Sequence, residues 1–284
     1  MPYAPSHVEP IPHSAERPDG VPELPEVETV RRTLAPHVTG RKILAVRYFS
    51  PLAAGGSPDA MAEALAGTRI LQLQRKGKYL IFHLDAGWMT VHLRMTGKLL
   101  VDGARSPWTR AQIELDSGRY LIFEDVRQFG RMLWSADFPA DVARLGPDAL
   151  GLSSDEFLAL LRGRRGNLKP LLLNQRVVAG LGNIYVDEAL HRARLHPLTN
   201  ASQLSRKRLL RLHSAVAEVL AEAVAAGGSS ISDYLDADGR RGWFQISHRV
   251  YGREGEPCLS CGTPIRRIVV SQRGTHYCPS CQRP

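Results

Sequence analysis

The position of the cysteines constrains this 284-residue chain more than any other feature. Two Cys-x2-Cys pairs near the C-terminus, separated by 16 residues, contain all four of them: Cys258, Cys261, Cys278 and Cys281. This spacing is typical of a tetrahedral zinc site with four thiolate ligands, whereas two disulfides are a poor alternative without a secretory signal. Because a four-cysteine site is closed, we expect one structural Zn²⁺ that holds a hairpin of Ile265–Val270 and Thr275–Tyr277 with Arg273 at its tip.

The net charge of +9 is concentrated in the second half of the chain. Residues 1–150 contain 18 basic and 17 acidic residues, whereas residues 151–284 contain 19 and 11. A basic half indicates a polyanionic partner, most simply nucleic acid, although a solvated basic surface gives the same count. Hydrophobic residues make up 43% of the chain, which excludes wholesale disorder. Since no run of about 18 apolar residues occurs, we expect no membrane span and a cytoplasmic protein.

The hydrophobic pattern changes along the chain from a period of two to a helical period. Short apolar runs separated by Gly, Asp and Pro turns predict antiparallel strands in a sandwich or barrel. These strands are Ile70–Gln74, Tyr79–Leu84, Met89–Leu93, Ile113–Leu115, Tyr120–Phe123 and Met132–Trp134. Apolar residues at spacings of three and four predict helices at Pro22–Ala35, Asp155–Leu161, Pro170–Val178, Ile184–Arg194 and Ser205–Ala226.

We therefore expect an α+β fold built from three parts. An N-terminal antiparallel β-sandwich with flanking helices occupies residues 22–145, a helical domain follows at 153–230, and the zinc hairpin occupies 245–284. Residues 1–21 are rich in proline and polar residues, which predicts a disordered leader.

Three short segments contain residues suited to chemistry, but each is ambiguous alone. Ala179–Tyr185 joins two helices through glycines, so it is either an anion site at a helix N-terminus or an ordinary turn. Arg75–Leu80 places Lys78 on a turn before a strand, either as a functional lysine or as part of an exposed basic turn. The segment Val21–Glu28 indicates only a helix start with carboxylates.

Taken together, and in this order, the motifs resemble the formamidopyrimidine-DNA glycosylase family. They are Pro-Glu-Leu-Pro-Glu-Val-Glu-Thr-Val-Arg-Arg at 22–32, Gly-Lys-Tyr at 77–79, His-Leu-Arg-Met-Thr-Gly at 92–97, Gly-Leu-Gly-Asn-Ile-Tyr at 180–185, and Tyr-Gly-Arg-Glu-Gly-Glu-Pro-Cys at 251–258 with the zinc hairpin. The resemblance covers about residues 22–283. It implies a C-terminal helix-two-turn-helix bundle with a zinc ribbon. It also implies a monomeric enzyme that flips oxidised purines, such as 8-oxoguanine and formamidopyrimidines, out of duplex DNA.

The resemblance also implies the roles of individual residues in excision and strand cleavage. Pro22 would be the nucleophile, whose secondary amine forms a Schiff base with C1′ of the deoxyribose. Glu23 would be the neighbouring acid/base. Lys78 would donate a proton and hold a phosphate during β-elimination. Arg273 would assist δ-elimination, so that the strand is cut on both sides of the abasic sugar.

A second group of residues matches the DNA contacts of the family. Met95, Arg127 and Phe129 would fill the gap left by the flipped base, and Arg164, Lys169 and Asn183 would contact the DNA backbone. The Gly227–Tyr234 segment resembles the loop that closes over the lesion. Here the motif Asp-Val-Arg-Gln-Phe-Gly at 125–130 replaces the usual Asp-Pro-Arg-Arg-Phe-Gly, and the usual phosphate-contacting His before Ile113 is absent, although Arg110 could substitute.

The leader conflicts with this chemistry. Because Val21 precedes Pro22, the proline nitrogen is an amide, which is not nucleophilic. Either residues 1–21 are removed, or translation starts at position 21, since a GUG codon specifies valine and can also initiate in bacteria. We therefore expect the mature protein to begin at Pro22.

Two alternatives remain open from the sequence. One is an endonuclease VIII-like glycosylase for oxidised pyrimidines, although Leu24 and the Gly227–Tyr234 segment favour the purine enzyme. The other is a non-catalytic, zinc-dependent DNA-binding protein that keeps its leader. Borohydride trapping separates the catalytic hypotheses from the non-catalytic one, and lesion preference separates the two enzymes.

Overall fold

A computed structural model describes residues 21–230 and 234–283 of the chain. The predicted leader therefore lies outside the described residues, apart from Val21. Residues 231–233 of the Gly227–Tyr234 segment also lie outside them.

The predicted helices and strands are present in the predicted order, together with further elements that the sequence did not predict. The helices are α1 (Leu24–Val38), α2 (Pro51–Ala54), α3 (Pro58–Leu65), α4 (Ala140–Ala143), α5 (Ser154–Leu161), α6 (Leu168–Leu173), α7 (Asn183–Arg192) and α8 (Arg206–Ala225). The strands are β1 (Ile43–Tyr48), β2 (Ile70–Lys76), β3 (Tyr79–Leu84), β4 (Trp88–His92), β5 (Gly97–Val101), β6 (Thr109–Leu115), β7 (Tyr120–Asp125), β8 (Arg131–Ser135), β9 (Arg266–Val270) and β10 (Arg273–Tyr277). No helix among the described residues is long and apolar enough to cross a membrane.

Two antiparallel four-stranded sheets form the N-terminal lobe. Their strand orders are β1-β6-β7-β5 and β2-β3-β4-β8, and side chains of both sheets share one hydrophobic core. The apolar face of α1, with Val27, Val30 and Leu34, packs into the same core. The predicted α+β fold with an antiparallel sandwich is confirmed. Strands β1 and β5 were not predicted from the sequence. They are the two edge strands of their sheet, and their residues do not alternate regularly between buried and exposed.

Helices α5 to α8 surround a second core around Phe157, Tyr185 and Leu212. The helix predicted over Pro170–Val178 is shorter than expected, because it ends at Leu173. The Gln175 side chain explains this, since its amide accepts from the Gly180 N–H at 2.8 Å and donates to the Leu181 carbonyl at 2.7 Å. These bonds hold the turn before α7.

The C-terminal hairpin of β9 and β10 lies against α7. Its turn consists of Ser271 and Gln272, both with positive φ, so Arg273 is the first residue of β10 and pairs with Val270. The predicted position of Arg273 at the tip is thus corrected by one place. The arginine still projects from the end of the hairpin that faces the N-terminal lobe, where it lines a cavity.

Candidate active site

A cavity of about 650 Å³ lies where the sandwich, the start of α7 and the hairpin meet. Side chains from all three parts of the fold line it. Six of the residues predicted from the sequence are among them: Glu23, Lys78, Met95, Phe129, Asn183 and Arg273. Val21 also lines the cavity, so the buried Pro22 lies between two residues of its wall, Val21 and Glu23.

Pro22 and Glu23 lie between the N-termini of two helices. The backbone N–H of Leu24 donates to the Gly180 carbonyl at 3.1 Å, which joins the start of α1 to the turn before α7. The carboxylate of Glu23 accepts from the Ile184 N–H at 3.0 Å, in the first turn of α7. A helix N-terminus carries partial positive charge, so this placement stabilises an anion and disfavours a protonated amine.

Glu23 and Lys78 approach each other over Gly182. A Cβ atom on Gly182 would lie 2.4 Å from Oε1 of Glu23 and 2.5 Å from Nζ of Lys78, so any larger residue there would displace these two groups. Burial raises the pKa of Glu23 to about 7, against the opposing charge of Lys78. Burial also lowers the pKa of Lys78, with Arg273 adding to the effect and Glu23 opposing it. Both groups can therefore exchange protons closer to neutral pH than usual.

The turn that carries Lys78 is braced from the far side. Arg75 forms a bidentate ion pair with Asp148, at 2.7 and 2.8 Å, and also donates to Glu28 at 3.0 Å. Asp148 in turn accepts from the Gly77 N–H at 2.7 Å. Burial alone would raise the pKa of Glu28, but its three arginine neighbours lower it to about 2. Glu28 is therefore ionised at neutral pH. The bonds of Asp148 hold the Lys78 turn to the segment between the sandwich and helix α5.

Arg273 is positioned by a cluster that we call the hairpin dock: Lys169, Asn183, Asp187 and His276. Asp187 accepts from Lys169 Nζ at 2.6 Å and from the His276 N–H at 2.8 Å. Asn183 Nδ2 donates to the carbonyl of Gly274, next to Arg273, at 2.9 Å. These bonds tie β10 to helices α6 and α7.

The prediction that Lys169 contacts the DNA backbone does not fit this geometry. Its side chain is fully buried, and its ammonium is paired with Asp187 and directed at the Gly274 carbonyl, 3.3 Å away. Lys169 therefore holds the hairpin rather than facing a phosphate. Arg164 is exposed in the turn after α5, where its Nε donates to the Leu160 carbonyl, and it does not line the cavity.

Met95 and Phe129 lie on two neighbouring loops at the cavity rim. Phe129 is 47% exposed, so its ring is accessible at the mouth of the cavity. The guanidinium of Arg127 lies over the Phe129 ring, 5.1 Å from its centroid. The structure thus brings these three residues together, as the resemblance implies. Arg110, which the sequence offers in place of the missing histidine, donates to the Asp125 carbonyl at 2.7 Å.

The four cysteine sulfurs lie within 4.8 Å of one another, which suits one tetrahedral ion. Backbone N–H groups of Ser260 and Cys281 point at the sulfurs of Cys258 and Cys278, each at 3.4 Å, as donors to thiolates do. His191 lies 3.6 Å from Cys258 Sγ on the α7 side. The residues fit a closed structural zinc site.

A buried cluster beside Glu23 was not predicted from the sequence. Glu26 accepts from the Glu23 N–H at 2.9 Å, from the Ser229 N–H at 2.6 Å and from the Tyr185 hydroxyl. The Ser229 hydroxyl also contacts His248 Nε2 at 3.1 Å. The acidic pattern of 23–28 was a signal for Glu26, but its partners are distant in sequence.

Comparison with known proteins agrees with this geometry in all three parts of the chain. Residues 21–132 match the formamidopyrimidine-DNA glycosylase N-terminal domain, and residues 145–234 match the H2TH domain of the same enzyme. Residues 255–284 match a zinc finger found in FPG and IleRS. The chain belongs to the formamidopyrimidine-DNA glycosylase family. Its members are DNA glycosylases with abasic-site lyase activity, and this chain is an enzyme of base-excision repair that contains one structural zinc.

Relatives and solved structures support the assignment. The formamidopyrimidine-DNA glycosylase of Solibacter usitatus is 51% identical over 265 residues, which are 93% of this chain and all of the relative. The MutM (Fpg) crystal structure from Thermus thermophilus has a TM-score of 0.83 at 45% identity, covering 92% of this chain and 98% of that one. A Lactococcus lactis Fpg mutant in complex with Fapy-dG DNA has a TM-score of 0.84 at 37% identity, covering 93% and 100%.

Proposed function

We propose that the chain excises oxidised purines through a Schiff base on the amine of Pro22 and then cuts the abasic strand by β,δ-elimination. The observation that carries this proposal is the Glu23–Lys78 pair, with both pKa values shifted towards neutrality at the wall of the cavity. Related solved complexes contain Fapy-dG DNA and carbocyclic 8-oxo-G DNA, which supports the purine substrate over a pyrimidine.

The residues divide the reaction between them. The Pro22 nitrogen forms a bond to C1′ of the deoxyribose while the bond from C1′ to the base breaks, and opening of the sugar ring gives an iminium ion. Glu23, with a pKa of about 7, can give or take a proton at this point. Lys78 and Arg273 hold the flanking phosphates, which are the leaving groups of the β- and δ-elimination steps.

The free amine at Pro22 is essential to this proposal. An α-amino group has a pKa of about 7.7–8.0, so part of it is neutral and nucleophilic at pH 7, whereas an amide nitrogen is not nucleophilic. We propose that the active form begins at Pro22. All of the Solibacter usitatus relative aligns to 93% of this chain, and the match to the N-terminal domain begins at residue 21.

DNA binding follows from the same arrangement. We propose that Met95, Arg127 and Phe129 enter the gap left by the flipped base, and that Asn183 and Arg164 contact the backbone. We also propose a monomer that acts in the bacterial cytosol as three parts, a sandwich (22–145), a helix-two-turn-helix domain (153–230) and a zinc hairpin (245–284). If about 6–10 phosphates are contacted, the affinity should fall about 10³–10⁵-fold between 50 and 200 mM salt. A nearly flat salt titration would contradict this interface.

The decisive experiment is borohydride trapping on an 8-oxoguanine·C duplex, with the full chain beside a chain that begins at Pro22. We expect a covalent adduct only with the shorter chain. N-terminal sequencing of the adduct-forming protein is the control for trimming during the assay. If neither chain forms an adduct although both bind zinc and DNA, the catalytic proposal is wrong.

A further inference from the structure

The loops that carry Met95, Arg127 and Phe129 are neighbouring crossovers between the two sheets. Residues 93–96, the first crossover, lead from β4 to β5, and residues 126–130, the second crossover, lead from β7 back to β8. At their ends His92 pairs with Arg131, and Gly97 pairs with Asp125. The two crossovers therefore run side by side at the same end of the sandwich.

One buried carboxylate connects these crossovers. Asp125 is 1% exposed at the end of β7, where Oδ1 accepts from the Thr96 hydroxyl and Oδ2 accepts from the Gly130 N–H at 2.6 Å. The Thr96 hydroxyl oxygen also accepts from the Arg127 N–H at 3.0 Å. A single carboxylate and a single hydroxyl thus bind the start and the end of the second crossover to the first one.

Further contacts fix the second crossover in one conformation. Gln128 has a positive φ of 57°, and its side chain accepts from the Ser50 hydroxyl at 2.8 Å. A Cβ on Gly130 would lie 2.6 Å from the Phe123 ring, so the end of the crossover packs closely on the core. The loop is anchored to the sandwich, and the exposed Phe129 side chain extends from a rigid base.

We propose that Thr96 and Asp125 are positioning residues for reading the base opposite the lesion. Neither residue is placed to touch DNA. Their hydrogen bonds fix the position of Arg127 relative to Met95, so that the two crossovers enter the DNA gap as one unit, which we call the wedge. The inference rests on the proposed function, because it requires these loops to enter the DNA gap. A wedge of fixed geometry discriminates among opposite bases, whereas two independent loops can adapt to each of them.

The test uses equilibrium binding, which does not require catalysis. The probes are duplexes with a tetrahydrofuran abasic analogue opposite A, C, G or T. The measured quantity is the spread, defined as the ratio of the highest to the lowest of the four affinities. Thr96→Val keeps the side-chain shape but removes the hydroxyl and its two hydrogen bonds, so it should narrow the spread about three- to tenfold. Thr96→Ser keeps the hydroxyl and should retain the spread.

Two controls make the result specific. Thr68→Val deletes a hydroxyl that bonds only locally, to the Leu65 carbonyl at 2.7 Å, and should leave the spread unchanged. Adding Thr96→Val to Arg127→Ala should narrow the spread no further than Arg127→Ala alone. A full spread in Thr96→Val, or an equal loss in Thr96→Ser, would overturn the inference. Failure of the proposed function would instead appear as absent borohydride adducts with the otherwise unsubstituted chain that begins at Pro22.

Discussion

The two sides of the cavity bury charge in different ways. At the hairpin dock, Lys169 and Asp187 form a contact ion pair at 2.6 Å, and the second oxygen of Asp187 accepts from a backbone N–H. On the opposite side, Glu23 accepts its hydrogen bonds from α7, while Lys78 faces both Glu23 and Arg273. Burial raises the pKa of Glu23 to about 7, although Lys78 and the N–H groups of α7 oppose the shift.

This difference distinguishes a structural contact, the hairpin dock, from a chemical site, which contains Glu23 and Lys78. Where buried charges are matched at contact distance, the pair stabilises the packing, and removing one partner leaves the other uncompensated. Where burial raises a carboxyl pKa to near neutrality, the proton is available at working pH. Both sides contain a lysine with a pKa lowered by burial, so geometry, and not the shift itself, distinguishes them.

Removal of zinc should have the largest effect on folding and DNA affinity. Of the two sides of the cavity, it should disrupt only the hairpin dock. Structural zinc in small domains contributes about 10–16 kcal/mol to folding, so Cys258→Ser should unfold the hairpin and abolish tight DNA binding. The sandwich has its own core and should keep its thermal transition. Zinc content, DNA affinity and calorimetry test this together. Full DNA binding after chelation would show that the dock needs no metal.

Breaking the Lys169–Asp187 ion pair should lower the stability of the fold without changing Glu23 and Lys78 on the opposite side of the cavity. Lys169→Met leaves Asp187 buried and unpaired, and we expect a loss of about 3–5 kcal/mol in urea unfolding. Adding Asp187→Asn removes the charge but keeps an acceptor for the His276 N–H, so much of this loss should be recovered.

Lys78→Met is the matched substitution on the chemical side. It should abolish strand nicking while leaving the stability near that of the unsubstituted chain, since Lys78 lines a cavity and is not locked in a contact pair. Equal losses of stability in Lys78→Met and Lys169→Met would contradict the distinction between the structural hairpin dock and the chemical site.

The sequence predicted the parts of the site but not how they are joined. The zinc ligands, the Glu23–Lys78 pair and the residues of the wedge follow from motifs that are local in sequence. Asp148 and Asp187 show no such motif, and their partners Arg75 and His276 are 73 and 89 residues away. The ion pair of Lys169 has the same origin, since its partner Asp187 is 18 residues away and a motif match does not show which lysines are paired in the interior.

The raised pKa of Glu23 gives a further prediction, on how stability depends on pH. Between pH 4.5 and about 7 the folded chain keeps a proton on Glu23 that the unfolded chain has lost, so stability falls as pH rises through this window. Glu23→Gln does not titrate, and its stability relative to the unsubstituted chain should rise by up to about 3 kcal/mol across the window. Urea unfolding at pH 4.5, 6 and 7.5 measures it, and parallel pH curves for the two proteins would contradict the raised pKa.

Gly182→Ala tests the chemical side with the smallest structural change. The added methyl group would lie 2.4 Å from the Glu23 carboxylate oxygen and 2.5 Å from the Lys78 ammonium, so the two groups must separate. Since a displacement of about 1 Å at a reacting centre can cost about 10²-fold in rate, we expect that loss in borohydride trapping while DNA affinity stays unchanged. Gly56→Ala is the matched control, because a Cβ there meets no atom within 4 Å. A trapping rate near that of the control would mean that Glu23 and Lys78 work without their close approach, and the chemical site would have to be sought elsewhere in the cavity.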